Sequence, residues 1–194
     1  NPNYAITFID GTFIINQRLL TVTWGTTEFV YDGKEHCPVA ELGNVIGKDD
    51  LGAFVDGSQT EVGTYTATLA ELTGKAAGNY ALPDDGLTCE FSIKNAAQDA
   101  PVVQAEAETV SGKKDGKITG ADGTMEWRAQ GAVEYQAVGK DVTELKDLAA
   151  GVYEVRYQAK ANYDASAVTE VTVKAGRKLV VTLPAKQGGY TITA

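Results

Sequence analysis

The fold class is decided by the stretch Gly63-Thr64-Tyr65-Thr66-Ala67-Thr68-Leu69. Tyr65, Ala67 and Leu69 stand at every second position, and threonines fill the positions between them. Side chains of a β-strand point alternately to opposite faces, so this period of two predicts a strand with one buried face. Threonine and aromatic residues also favour strands.

A second run with the same alternation lies at Val152–Ala159, where Tyr153, Val155 and Tyr157 share one face. Asp-Gly pairs separate such runs, and both residue types tolerate the positive φ of tight turns. Short strands joined by turns predict an all-β protein. The pairs are Asp10-Gly11, Asp32-Gly33, Asp56-Gly57, Asp85-Gly86, Asp115-Gly116 and Asp122-Gly123.

One stretch of the second half has helical spacing, and another predicts a hairpin. Val142, Leu145 and Leu148 recur every third residue, and Asp141 with Glu144 fits a capping box. We expect a short turn of helix there at most, because the stretch is too short for a stable helix. The runs Val168–Val173 and Lys178–Leu183 flank a polar turn and predict the hairpin.

Composition excludes several classes of function. The 194 residues carry 17 basic and 26 acidic side chains, a net charge of −9, whereas nucleic-acid binders need a basic surface. No run approaches the roughly 18 consecutive apolar residues of a membrane span, so this segment is not expected to enter a membrane. The single histidine, His36, leaves little choice of general base, and no serine lies in a Gly-x-Ser-x-Gly turn. The sequence predicts no enzyme, no cofactor and no metal site.

Charge balance and internal repeats divide the chain. Residues 1–95 hold 5 basic and 13 acidic side chains, whereas residues 96–194 hold 12 and 13. The change falls in a small, polar stretch that ends at Pro101 and is typical of a linker. We therefore place the domain boundary between residues 95 and 96.

A weak repeat relates the two halves. Gly63-Thr64-Tyr65 parallels Gly151-Val152-Tyr153, and each tripeptide opens an alternating strand. Asn79-Tyr80 and Asn162-Tyr163 follow later in each half, and Asn3-Tyr4 stands near residue 1. We expect residues 1–16 to be the closing strand or strands of a preceding repeat in a tandem array.

Residues 17–95 resemble a known family. The series consists of Phe29-Val30-Tyr31-Asp32-Gly33, Val62-Gly63-Thr64-Tyr65 and Asn79-Tyr80-Ala81-Leu82-Pro83. It is similar to the YDG and MBG repeats, which are tandem modules of bacterial cell-surface proteins. The resemblance implies an immunoglobulin-like β-sandwich without catalytic residues.

Residues 96–194 resemble a fibronectin type III or related immunoglobulin-like module. Met125-Glu126-Trp127-Arg128 is similar to the central tryptophan strand of such modules. Leu145, Leu148, Gly151 and Tyr153 resemble the series that ends in a tyrosine corner. The resemblance implies a second β-sandwich in tandem with the first.

The cysteines and the histidine admit two chemistries. A catalytic His36-Cys37 pair is disfavoured, since neighbouring side chains on a strand point to opposite faces. Cys37 and Cys89 are a possible disulfide, which an oxidising compartment favours. The alternative is two separate buried thiols that act as small hydrophobic side chains.

Aromatic and acidic residues give two further candidate sites. Trp24 and Trp127 are candidates for stacking on sugars, although a core role fits Trp127 better. Acidic loops are candidates for calcium, but none has the spacing of an EF-hand, so solvated turn residues are the simpler interpretation. These loops hold Asp49-Asp50, Asp84-Asp85, and Asp115 with Asp122.

These observations favour a non-catalytic structural or adhesive segment of a bacterial cell-surface protein that acts as a stalk or spacer. The alternative is a carbohydrate- or protein-binding module of a surface adhesin. The expected partners are neighbouring repeats of the same chain, with host or environmental glycans or proteins as further candidates. The expected location is extracellular, either attached to the cell wall or secreted.

Overall fold

The computed structural model describes residues 3–178, whose regular secondary structure consists almost entirely of β-strands. Within this range there is no α-helix, and a short 3-10 turn occupies Ala77–Asn79. The all-β prediction is confirmed. No helix among the described residues has the length and apolar character of a membrane span. The described residues up to Ala96 form one compact unit, and those from Ala97 onward form a second.

The first unit contains a four-stranded sheet and two smaller pairings. The four-stranded sheet has the order β3-β8-β6-β5, in which β3 and β8 run parallel and the other neighbours run antiparallel. β2 pairs with β4 antiparallel, and β1 pairs with β7 in parallel. The strands are β1 Arg18–Leu19, β2 Thr21–Trp24, β3 Glu28–Val30, β4 Ala40–Gly43, β5 Gly52–Asp56, β6 Gly63–Thr73, β7 Tyr80–Ala81 and β8 Thr88–Lys94.

The core of the first unit lies on the face that the alternation predicts. Ala67 and Leu69 of β6 are buried, whereas the threonines beside them are exposed. Phe91 and Ile93 of β8 cluster with Ala67. The partly buried side chains that pack against this cluster are Trp24, Phe29, Tyr31, Cys37, Val55, Val62 and Tyr65.

The second unit is a sandwich of two sheets. One sheet has the order β13-β10-β9 and the other β12-β11-β14-β15, and all neighbours run antiparallel. Ile118 and Leu145 from the first sheet share one buried cluster with Val155 and Val173 from the second. The strands are β9 Gln104–Glu106, β10 Gly116–Thr119, β11 Met125–Ala129, β12 Gln136–Ala137, β13 Glu144–Leu148, β14 Gly151–Tyr157 and β15 Thr169–Val173.

The predicted turn of helix near residues 141–148 is wrong, because Glu144–Leu148 is strand β13. The pairing of β13 with β10 shifts register, so that Leu145 lies opposite Ile118 and Leu148 opposite Gly116. Asp147 has a φ of 58°, which marks a β-bulge. Because the bulge adds one residue to β13, Leu145 and Leu148 both point into the core although they are three positions apart. Of the predicted hairpin, the first strand is β15, and the second lies almost wholly outside the described residues.

The Asp-Gly pairs do not all act as tight turns with positive φ. Gly33, Gly57 and Gly86 have φ values of 78°, 104° and 73°, as such turns require. Gly116 instead begins β10 and is buried. A Cβ atom at Gly116 would lie 2.3 Å from Cγ1 of Val173 and 2.9 Å from the carbonyl oxygen of Leu148. Glycine is needed there for close packing of the sheets.

Candidate functional site

Each unit contains the same tyrosine contact at the start of a long strand. The Tyr65 hydroxyl donates a hydrogen bond to the carbonyl oxygen of Glu61 at 3.0 Å. The Tyr153 hydroxyl donates to the carbonyl oxygen of Ala149 at 2.9 Å. Both acceptors lie four positions before the tyrosine, which is the arrangement of a tyrosine corner. The Gly-x-Tyr repeat of the sequence therefore corresponds to a repeated structural feature.

The aromatic ring of the corner tyrosine packs against the core in both units. The ring centroid of Tyr65 lies 5.7 Å from that of Phe91, and the centroid of Tyr153 lies 5.8 Å from that of Trp127. In the first unit the tyrosine ring also folds over the preceding glycine. A Cβ atom at Gly63 would lie 2.8 Å from Cζ of Tyr65, so a larger residue would displace the ring.

The two Asn-Tyr pairs have different structural roles. Tyr80 is buried, and its hydroxyl donates to Oδ2 of Asp49 at 2.6 Å, a contact that raises the pKa of Tyr80 above its ordinary value. Asn162, by contrast, has a φ of 65°, and Tyr163 closes a tight turn in which it pairs with Lys160. Tyr163 is therefore part of a turn and is half-buried, whereas Tyr80 is fully buried and anchors a loop.

An open cleft of about 470 Å³ in the second unit is the candidate binding site. Tyr157 and Tyr163, both half-buried, contribute aromatic rings to its wall. Gln98 links two segments of the wall, since its Nε2 donates hydrogen bonds to the carbonyl oxygens of Gln158 at 3.0 Å and Asp164 at 2.6 Å. The volume falls within the roughly 300–1,000 Å³ of small-ligand sites. The remaining lining residues are Ala97, Asp99, Thr124, Ala159 and Lys160.

The two tryptophans pack against the cores of their own units. Trp24 packs against the cluster around Phe91, and its Nε1 donates to the carbonyl oxygen of Gly86 at 3.0 Å. Trp127 packs against the core of the second unit, beside Tyr153. These contacts favour core roles for both tryptophans, and the half-buried Trp127 also lines a second open cleft of about 410 Å³ with Val142 and Leu145.

His36 and Cys37 have separate environments. The imidazole of His36 stacks on Phe29 with ring centroids 4.8 Å apart, and its Nε2 lies 2.8 Å from Oδ1 of Asp32. The pKa of Asp32 is lowered, first by the hydrogen bond from the Lys34 backbone N–H and then by His36. Burial raises the pKa of the Cys37 thiol, with a smaller contribution from the charge of Asp56. A raised pKa is the reverse of what a nucleophilic thiolate needs.

Cys37 and Cys89 are free, half-buried thiols of the first unit, and they are close enough for Cys89 to contribute to the raised pKa of Cys37. Cys89 lies opposite Ala67 in the pairing of β6 with β8 and shares a strand face with Phe91. Cys37 packs against the cluster that contains both Ala67 and Phe91.

We expect Cys37 and Cys89 to form a disulfide when the native chain is treated with oxidised glutathione. Two thiols become one disulfide while one molecule of oxidised glutathione is reduced to two of glutathione. The cross-link closes a long loop, and on the chain-entropy model it raises the free energy of unfolding of the first unit by roughly 4 kcal/mol. Mass spectrometry after alkylation would then show no labelled cysteine and a loss of two hydrogen atoms.

The Cys37→Ala variant provides the control, since its remaining thiol must stay free or carry one glutathione. Two alkylated cysteines in the glutathione-treated native chain would contradict the prediction. Such a result would favour two separate buried thiols.

The acidic loops use their carboxylates in local hydrogen bonds. Asp49 binds the Tyr80 hydroxyl, and Oδ1 of Asp115 accepts the Thr109 N–H at 2.9 Å. Oδ1 of Asp122 accepts the Thr124 N–H at 2.8 Å. Among residues 3–178, no group of three or more histidine, cysteine, aspartate or glutamate side chains is placed to hold a metal ion.

A buried carboxylate that sequence reasoning missed joins three loops of the second unit. Glu108 is 3% exposed and accepts backbone N–H groups from Gly112 at 2.9 Å, Lys114 at 2.9 Å and Ala150 at 3.3 Å. These donors lower the pKa of Glu108, and the Gly176 N–H contributes to the same shift. The surrounding sequence gives no signal, because the donors are backbone groups.

A second missed cluster covers the outer face of β11 and β14. Nε of Arg128 donates to Glu154, and Nε of Arg156 donates to Glu126, each at 2.7 Å. The Tyr135 ring lies between the two guanidinium groups, with its centroid 4.3 Å and 3.8 Å from their carbon atoms. Because each arginine is paired with a carboxylate, this cluster stiffens the sheet rather than offering a free anion site.

Comparison with known proteins adds no relative. No protein-family model matches the chain, and no curated protein matches it significantly. The fold and its contacts define the class by themselves, as an all-β protein with two compact units and a tyrosine corner in each.

Proposed function

We propose that this chain is a non-catalytic structural section of a bacterial cell-surface protein that acts as a stalk or spacer. The observation that carries the proposal is the tyrosine corner that recurs at Tyr65 and Tyr153. Recurrence of one structural device in two compact units is typical of repeat proteins, which gain length by adding modules. The net charge of −9 favours solubility and opposes self-association.

The chain contains two domains, which follow the two family resemblances. Residues 17–95 are a YDG- or MBG-like sandwich, and residues 96–194 are a fibronectin type III or immunoglobulin-like sandwich. The location is extracellular, either wall-attached or secreted, and the main partners are neighbouring repeats of the same chain. Catalysis has no part in the proposal.

A second candidate function is a carbohydrate-binding module of a surface adhesin, and the cleft beside Tyr157 and Tyr163 favours it. Sugar rings stack on aromatic faces through their apolar C–H surfaces. Asp99 and Lys160 line the same cleft and offer hydrogen-bonding groups to hydroxyls. The stalk remains the first proposal, because the tyrosine corner occurs in both units, whereas the cleft belongs to the second unit.

Two measurements on the full chain separate these functions. A spacer is expected to scatter X-rays as two separate bodies, with a radius of gyration well above the about 16 Å of one compact particle of this length. It is also expected to give no saturable heat in titrations with soluble polysaccharides. Saturable heat that Tyr163→Ala removes and Tyr4→Ala leaves unchanged would favour the adhesin instead. A compact particle without such binding would contradict both functions.

A further inference from the structure

Residues 3–16 carry a row of large apolar side chains that face solvent. Their exposures range from 71% for Ile14 to 91% for Ile9, and none of these residues belongs to a strand. Soluble proteins rarely expose so many contiguous apolar side chains unless they mark an interaction surface. The exposed side chains are Tyr4, Ile6, Phe8, Ile9, Phe13, Ile14 and Ile15.

The order of these side chains is that of strands with one apolar face. Tyr4, Ile6 and Phe8 alternate along one run, and Phe13 and Ile15 alternate along the next. Asp10-Gly11 lies between the runs and fits a tight turn. Within each run the alternating side chains therefore fall on one face. One or two short strands are marginal on their own in water, so these apolar faces need a partner.

The end of the first unit shows what such a pattern does when its partner is present. Asn79-Tyr80-Ala81, Asp85-Gly86 and Phe91-Ser92-Ile93 repeat the order of Asn3-Tyr4-Ala5, Asp10-Gly11 and Phe13-Ile14-Ile15. In the first unit Tyr80-Ala81 is β7, which pairs with β1, and Phe91-Ser92-Ile93 lies in β8, between β3 and β6. The two elements of the series therefore join separate sheets. Phe91 and Ile93 are each 2% exposed at the centre of the core.

We propose that residues 4–15 donate the closing strands to another β unit of the same kind, which precedes them in the same polypeptide. Phe13 and Ile15 enter its core as Phe91 and Ile93 enter the core of the first unit. The partner surface is therefore the apolar inner face of a sandwich that lacks its last strand, and the contact is strand addition. This inference rests on the proposed repeat architecture and names its upstream partner.

The test uses a recipient that the chain itself supplies. Residues 17–78 contain β1 to β6 and lack only the closing elements of the first unit. A second copy of residues 17–78 is joined directly before Asn3 of the full chain, so that residues 3–16 take the place of residues 79–95. A control carries a second copy of residues 17–95, which contains its own β8.

We expect the added copy to fold in both chains, seen as one further calorimetric transition and as protease resistance. Phe13→Asp should abolish that transition in the first chain and leave it intact in the control. Ile14→Ser should leave it intact in both, because Ile14 corresponds to the outward Ser92. An added copy that folds only in the control, or that tolerates Phe13→Asp, overturns the inference.

The unaltered chain gives an independent measurement. If residues 4–15 belong to another unit, Phe8→Asp with Phe13→Asp should leave both calorimetric transitions of this chain within about 1 °C, as surface substitutions do. A marked fall in either transition overturns the inference, because the segment would then belong to one of the described units. Scattering and polysaccharide titration remain separate from these results, so failure of strand donation and failure of the spacer proposal are distinguishable.

Discussion

The Glu108→Ala variant is expected to unfold the second unit selectively, with a fall in its melting temperature of roughly 10 °C or more. The substitution removes the acceptor of the Gly112, Lys114 and Ala150 backbone N–H groups, whose hydrogen bonds to Glu108 are partly buried. Hydrogen bonds to a charged group stabilise more than hydrogen bonds between neutral groups, and here three loops lose their common contact with a buried carboxylate. Calorimetry gives the melting temperature, and hydrogen exchange of peptides from β10 and β6 assigns the loss to one unit.

Glu108 also gives the second unit a defined response to pH. Its pKa is lowered in the folded chain, whereas an unfolded glutamate titrates near about 4.3. The resulting stabilisation is therefore complete above about pH 5 and is lost as pH falls through the folded pKa. We expect melting temperatures of native chain and Glu108→Gln to converge as the pH falls below 4, since protonation removes the charge that Gln lacks.

Glu106→Gln is the matched control, because Glu106 is an exposed residue two positions earlier in the chain. It should leave the melting temperature within about 1 °C, as surface substitutions do. Equal effects of the Glu106 and Glu108 substitutions would mean that the second unit responds to net charge, and the loop-joining role would be wrong.

Period-two alternation predicted the strands well because it reflects one local fact, the opposite orientation of neighbouring side chains. Residues 63–69 and 152–157 became β6 and β14 with the expected buried faces. Spacing along the chain was misleading at β13. Asp147, which has a left-handed backbone conformation, adds a residue there, so the buried leucines have the three-residue spacing typical of a helix. A bulge depends on the partner strand, which the local sequence does not contain.

The candidate site was harder to predict for a related reason. The sequence offered Trp24 and Trp127 as sugar-stacking candidates but favoured a core role for Trp127, and both pack against cores. Tyr157 lies on the apolar phase of β14 and packs against the core, and it also lines the cleft with Tyr163 because the strand ends there. The exposure of a side chain at a strand end depends on the loops around it, and the residue type does not predict where those loops lie.

The Phe91→Ala variant is expected to lower the free energy of unfolding of the first unit by about 3–5 kcal/mol. Phe91 is 2% exposed, and its ring lies 6.0 Å from that of Phe29 and 5.7 Å from that of Tyr65. Truncation removes these contacts and leaves a cavity at the meeting point of β3, β6 and β8. Because small domains are stable by only about 5–15 kcal/mol, most of the first unit's stability should be lost.

Urea denaturation monitored by hydrogen exchange of β6 peptides measures this loss, and β14 peptides report the second unit. Glu90→Ala is the control, since Glu90 adjoins Phe91 on the exposed face of the same strand. It should change the unfolding free energy by less than about 0.5 kcal/mol. If both variants had equal effects, the core would not depend on the closing strand. The comparison between Phe91 and Phe13, on which strand donation rests, would then lose its physical basis.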